Sequence, residues 1–110
     1  MEDSILLSTK VMLGIAPTYL AFDEEIMSNT NSVLSTLYQF GINIAPIEDD
    51  SSMWSDLLFP SVQINMIKTY IFLKVKMAFD PPNTSYLLAA AEKQIAEHEW
   101  RINEFVNVAF

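Results

Sequence analysis

The single histidine, His98, stands in the run Glu97-His98-Glu99-Trp100-Arg101, where an imidazole and carboxylates are adjacent in sequence. That combination is raw material for a metal site or an acid–base pair. At a helical advance of about 100° per residue, however, Glu97 and Glu99 point to other faces than His98. Zinc also needs three or four convergent ligands. With one histidine and no cysteine, the chain has no zinc-type ligand set, no disulfide and no thiolate nucleophile. Nothing resembles a nucleophile elbow, and two glycines in all cannot build a phosphate-cradling loop by the usual means. Glu48-Asp49-Asp50 lacks the alternating ligands and glycine turn of a calcium loop and reads as a solvated turn. The expectation is a protein without enzymatic activity, cofactor or metal, in which His98 is a packing residue.

The remaining charged residues point to association rather than reaction. The formal net charge is -8, from 14 acids and 6 bases, which disfavours attraction to nucleic-acid phosphates. The first 67 residues hold nine acids and only Lys10, whereas Lys68, Lys74, Lys76, Lys93 and Arg101 follow. Such segregation suggests acidic and basic faces that pair between neighbours. Lys74 falls inside an apolar helical arc and must pair or reach water along its stem; Glu92 and Glu99 are its natural partners, in the same chain or a neighbour. Hydrophobic residues make up 51% of the chain. For a small helical protein that is a surplus, and an oligomer would cover it.

These residues are positioned by one domain, residues 1–110, organised around residues 64–79. There Ile64, Ile67, Tyr70, Ile71, Val75, Met77 and Ala78 share a wide arc and Asn65, Lys68, Thr69 and Lys76 a narrow one. Asp80-Pro81-Pro82 stops that helix, since proline lacks a donor and disfavours helical backbone at the residue before it. Upstream, Asp3 is a candidate cap for a first helix over residues 4–13, closed by Gly14. Asp23 is the expected N-cap of a second, with Glu24 and Glu25 in its first turn, Phe22 stapled on Met27, and Gly41 as the left-handed terminator.

Between the second helix and the central one lies a long connection, with room for a short strand at residues 42–44 and a short helix at residues 53–58 capped by Ser52. Its Trp54, Leu57, Leu58 and Phe59 are too apolar for disorder, so it is ordered against the core or a partner. After the prolines a last helix is expected over residues 84–106, with a seam of Leu88, Ala91, Ile95, His98, Ile102 and Phe105 at alternating threes and fours. Trp100 lies well off that seam, to be packed by the connection or offered to another subunit. The predicted fold is all-α: a small four-helix bundle with a long helical hairpin and an irregular connection. The acidic start of the chain lacks the positive charge of a signal peptide, and Lys68, Lys74 and Lys76 interrupt the longest apolar run. No membrane association is expected, and the protein should stay in the cell that makes it. The carboxyl end, residues 103–110, keeps Phe105, Val106, Val108 and Phe110 to its last residue and is read as a docking segment.

Two segments carry a resemblance: residues 67–76 running into Phe79-Asp80-Pro81-Pro82, and Glu97-His98-Glu99-Trp100-Arg101-Ile102-Asn103. Together they resemble the head-tail connector (adaptor, or head-completion) family of tailed bacteriophages. The order of elements, Trp54-Ser55-Asp56-Leu57-Leu58 included, resembles that family along nearly the whole chain, although the family tends to carry leucine where His98 stands. The resemblance implies a structural virion protein of the phage neck, assembled in the bacterial host cytoplasm. It further implies a homo-oligomeric ring, usually twelvefold, that sits beneath the portal, anchors to it through the carboxyl-terminal segment, and joins the head to the next connector, stopper or tail protein. DNA would pass through its channel without sequence-specific binding. Within that frame Phe105, Val106, Val108 and Phe110 are the expected portal contacts, and Lys68, Lys76, Trp54, Trp100 and Arg101 the expected ring contacts. A small oligomeric helical regulatory or inhibitor protein is the alternative, and a ring of fixed stoichiometry separates the two.

Overall fold

Both glycines adopt the left-handed backbone that ends a helix, and they divide the amino-terminal half of the chain. A computed structural model describes residues 4–42, 44–57 and 59–109, leaving aside the side chains of residues 105 and 107–109. Helix α1 (Ile5–Met12) begins at Ser4, whose hydroxyl accepts from the Leu7 amide at 3.3 Å. The expected cap, Asp3, lies outside the described residues; Ser4 does the capping. At the other end Gly14 has φ +81°, and the Gly14 and Ile15 amides donate to the Val11 and Lys10 carbonyls at 3.0 and 2.9 Å. Helix α2 (Asp23–Gln39) ends in the same way, with Gly41 at φ +107° and the Gly41 and Ile42 amides each 3.0 Å from the Tyr38 and Leu37 carbonyls. This paired closure satisfies carbonyls that a helix otherwise leaves open.

The start of α2 departs from expectation. Phe22, not Asp23, occupies the N-cap and no side chain caps the helix. The Asp23 carboxylate is taken instead by the Lys10 ammonium, 2.7 Å away, which also donates to the Pro17 carbonyl at 2.9 Å. Lys10 is wholly buried, so its charge must be met by a counter-ion; that need outweighs a cap worth about 1 kcal/mol. Phe22 packs its ring edge-on against Phe79 and tilted against Tyr19.

No strand forms among the described residues of the connection. Ile42, Ile44 and Ile47 are all buried there, because the Asn31 carboxamide of α2 grips the chain: its Nδ2 donates to the Ile47 carbonyl at 3.0 Å and its Oδ1 accepts from the Ile47 amide at 2.8 Å. Further along, an isolated antiparallel bridge joins Met53 to Ser4. The short helix contracts to a single 3-10 turn, Trp54–Asp56, capped not by Ser52 but by Asp56, which accepts from the Met53 amide at 3.0 Å. Ser52 is engaged elsewhere, its carbonyl taking the Ile5 amide at 2.9 Å.

Helix α3 (Ser61–Phe79) stops at Asp80, directly before the two prolines. Ile67, Tyr70, Ile71 and Val75 are sealed in the core, while Ala78, expected on the buried arc, is exposed. Helix α4 (Ser85–Ala109) starts where Thr84 accepts from the Leu87 amide at 3.3 Å and runs unbroken past the expected end. Its seam is graded: Leu88, Ala91, Ile95 and His98 are half-buried, whereas Ile102 and Val106 are buried. The architecture is all-α, with four helices and no sheet among the described residues. It measures 40 × 36 × 20 Å. With helix axes about 8–10 Å apart, the thin dimension holds two layers at most, so every helix keeps an open side.

Candidate protein interface

Helix α3 divides the molecule into two flanks. The Tyr70 hydroxyl donates to the Glu99 carboxylate of α4 at 2.8 Å, which sets α3 and α4 as an antiparallel hairpin. Phe72 points the other way, its ring 6.0 Å from Trp54, whose Nε1 donates to the Ser8 hydroxyl of α1 at 2.8 Å. Residues two apart on a helix project about 200° from each other. Helix α4 and helix α1 therefore lie on opposite sides of α3, with α2 packed between α1 and α3.

The α1 flank carries an exposed apolar patch. Val11, Met12, Tyr19, Leu20 and Phe22 all lie open, Leu20 at 69% and Tyr19 at 52%. Beside them a hollow of about 200 Å³ is lined by Leu6, Leu20, Met27 and Asp23 among others, with the exposed Glu48, Asp49 and Asp50 at its rim. The rim is held in shape: the Ser51 hydroxyl and amide donate to the Asp49 carboxylate, which keeps its pKa below the usual carboxylate range. Ser4 fixes Asp50 by donating to its carbonyl at 2.8 Å. Lys10, the sole base of the first 67 residues, is sealed inside with Asp23 and so is not available to the exposed Glu24, Glu25, Glu48, Asp49 and Asp50.

On the opposite flank, the outward face of α4 shows Tyr86, Lys93, Glu97, Trp100 and Arg101, a stripe at heptad-like spacing. Tyr86 is 81% and Trp100 64% exposed. Arg101 is held at 3.1 Å by Glu97 one turn earlier, both well exposed, a pairing worth only about 0.3–0.5 kcal/mol. Between the flanks, α2, α3 and α4 border an open groove of about 400 Å³ lined by Val33, Lys74, Met77, Glu92 and Ile95 among others. Lys74 and Glu92 face this groove, but no ion pair joins them among the described residues. Glu99, the other expected partner of Lys74, is engaged by Tyr70. Burial, then that hydrogen bond and the carboxylate's charge, push the Tyr70 phenol well above its ordinary pKa.

The expected contact residues divide accordingly. Trp100 and Arg101 are presented to solvent, and Lys76 lies half-exposed at 3.5 Å from Asp80. Trp54 is corrected from a surface contact to a core residue, 2% exposed. Its ring is already enclosed by Ser8, Phe72 and the Lys68 ammonium, which stands 5.3 Å from the ring centroid. Lys68 is thereby turned inward as well. At the carboxyl end residues 103–109 are the last turns of α4 rather than a separate tail. Val106 is 6% exposed, with its Cγ1 against the Gly41 turn, so it too is used within the protomer. The side chains of Phe105 and Val108, and Phe110 as a whole, lie outside the described residues.

Nδ1 of His98 donates to the Gln94 carbonyl at 2.9 Å within its own helix. Among the described residues no group of three or more His, Asp or Glu side chains converges as metal ligands would, and no helix is long and apolar enough to cross a membrane. Sequence reasoning passed over Tyr19, Leu20 and Tyr86, the exposed aromatic and apolar groups of the two flanks. The available signal was their position next to a helix start rather than on any apolar stripe. A family model described as phage connector protein matches residues 5–107. No curated protein and no solved structure matches the chain at a significant level.

Proposed function

This chain belongs to the phage connector protein family, and on that premise we propose that it forms a homo-oligomeric ring beneath the portal of the capsid. Family membership makes it a structural component of the phage neck and hence of the virion. The finer reading is a ring of about twelve subunits, by resemblance to head-tail connectors, assembled in the host cytoplasm and linking the portal to the next connector or tail protein. It has no reaction to perform. The observation that carries this reading is the match itself, which takes in α1, α2, α3 and all but the last two residues of α4. The thin protomer, with exposed aromatic residues on both flanks of α3, suits a subunit packed side by side between copies. Net charge of -8 suits a channel along which DNA moves without adhering. Portal docking is assigned to the carboxyl end through Phe105, Val108 and Phe110, with Val106 fixing the last turns of α4 to the protomer.

The test is the mass of the full chain, alone and mixed with its portal, by light scattering and native mass spectrometry. A closed ring of fixed stoichiometry is expected in at least one of the two states; a monomer in both overturns the ring. Removing residues 107–110 should abolish portal binding while leaving the melting temperature unchanged. Normal portal binding by the truncated protein overturns the docking assignment.

A further inference from the structure

The geometry points to a head-to-tail contact in which the outward face of α4 from one copy seats on the α1 flank of the next, with Trp100 on the Leu20–Tyr19 patch and Arg101 at the carboxylate rim formed by residues 48–50. This deepens the ring reading and rests on it, since it names the two surfaces that meet.

Three observations converge on a second copy as the occupant. First, Tyr70 and Phe72 direct α4 and α1 to opposite sides of α3. A contact between two different and opposite faces is heterologous, the kind that repeats from copy to copy and gives a ring when its rotation closes. Second, the two faces match in chemistry. The α1 flank offers exposed Leu20, Tyr19 and Phe22 beside a hollow with apolar walls and a carboxylate rim. The α4 face offers Tyr86 and Trp100 with Lys93 and Arg101. A long side chain with an apolar stem and a cationic head is the shape such a hollow accepts, and among the described residues Arg101 pairs with Glu97, an exposed contact one turn away. Third, burial of Lys10 against Asp23 removes the one cation that could answer the rim from within the amino-terminal part of the chain. A base for the rim carboxylates must come from outside it, and the exposed bases are Lys76, Lys93 and Arg101. Trp and Arg together are also the residue types that dominate interface energetics.

The chain has no cysteine, so single introduced thiols report the contact directly. Leu20→Cys and Trp100→Cys variants of the full chain, each of wild-type helicity, are oxidised separately and as a mixture while light scattering follows assembly. Covalent dimers in the mixture alone, and a ladder of covalent multimers when both substitutions sit in one chain, are the expected result. Disulfide dimers of either variant by itself would show a symmetric contact and overturn the proposal. Assembly seen by scattering without cross-links overturns it while leaving the ring intact; the absence of any assembly by the wild-type chain, with or without portal, overturns the ring reading and this one together. As a second measure, Arg101→Glu should raise the concentration for half-assembly roughly tenfold at low salt. Adding Asp50→Arg in the same chain should restore assembly; no restoration, or an unchanged midpoint for Arg101→Glu alone, counts against the pairing.

Discussion

Neutralising Asp23 should destabilise the protein more than neutralising Lys10, although the two share one ion pair. The Lys10 side chain is 0% exposed and that of Asp23 is 23% exposed. In Asp23→Asn the ammonium stays sealed in the core with a neutral amide and the Pro17 carbonyl as its remaining acceptors. An uncompensated buried charge of this kind costs about 3–5 kcal/mol, a large part of the roughly 5–15 kcal/mol that holds a domain together. In Lys10→Met the space is filled by an apolar side chain of similar volume, and the orphaned carboxylate still reaches water. The loss is then chiefly the hydrogen bond to Pro17 and the attraction itself, about 1–2 kcal/mol. The double variant removes both charges and should recover to near the level of Lys10→Met, so the coupling is as large as the cost of Asp23→Asn alone, about 3–5 kcal/mol. Urea titration followed by the fluorescence of Trp54, buried against Ser8 of α1, reads each value as a shift in midpoint at constant slope. Equal costs for the two single variants, or strict additivity in the double, would refute the argument that unequal solvent access decides the outcome.

Tyr70 predicts an alkaline limit. Its folded-state pKa is raised by burial and by Glu99, so the unfolded phenol ionises first, near about pH 10; stability is undiminished below that pH and falls as the pH climbs beyond it. Tyr70→Phe should flatten the fall, as measured by urea midpoints across that range. Gly41→Ala should cost about 1–2 kcal/mol, because φ is +107° and a Cβ would meet Val106 Cγ1 at 3.1 Å. Gly14→Ala, with φ +81° but nothing within 4 Å of its Cβ, should cost less in the same thermal melts. Asn31→Ala removes both hydrogen bonds to Ile47 and should cost about 2 kcal/mol, with the Ile47 amide exchanging faster than before.

Much of this fold is written in local signals. Gly14 and Gly41 end their helices because only glycine enters the left-handed region without strain, and Asp80-Pro81-Pro82 ends α3 because proline has no amide to donate. The apolar period of residues 64–79 identifies a helix enclosed on most sides. Each of these effects acts within a few residues, which is why it can be read along a line. Residues 67–82 and 97–103 likewise carried the family resemblance in their order alone, and the match over residues 5–107 agrees with it.

What the line of residues could not give was the destination of side chains whose partners are distant in sequence. Asp23 has every mark of an N-cap, yet a buried ammonium thirteen residues earlier claims it, because an unpaired charge in the core costs more than an uncapped helix. Trp54 looked like a surface contact, but Ser8 and Phe72 enclose it. Ala78 and the first seam residues of α4 have the period of a core, yet Ala78 is exposed and the seam residues only half-buried, since no described residue fills the groove that α2, α3 and α4 border. Periodicity states which residues share a face; only the packing of helices against one another decides whether that face is covered, and by what. That is why the sequence could determine four helices and a connector family, while the tertiary structure alone decided that α1 and α4 lie on opposite sides of α3.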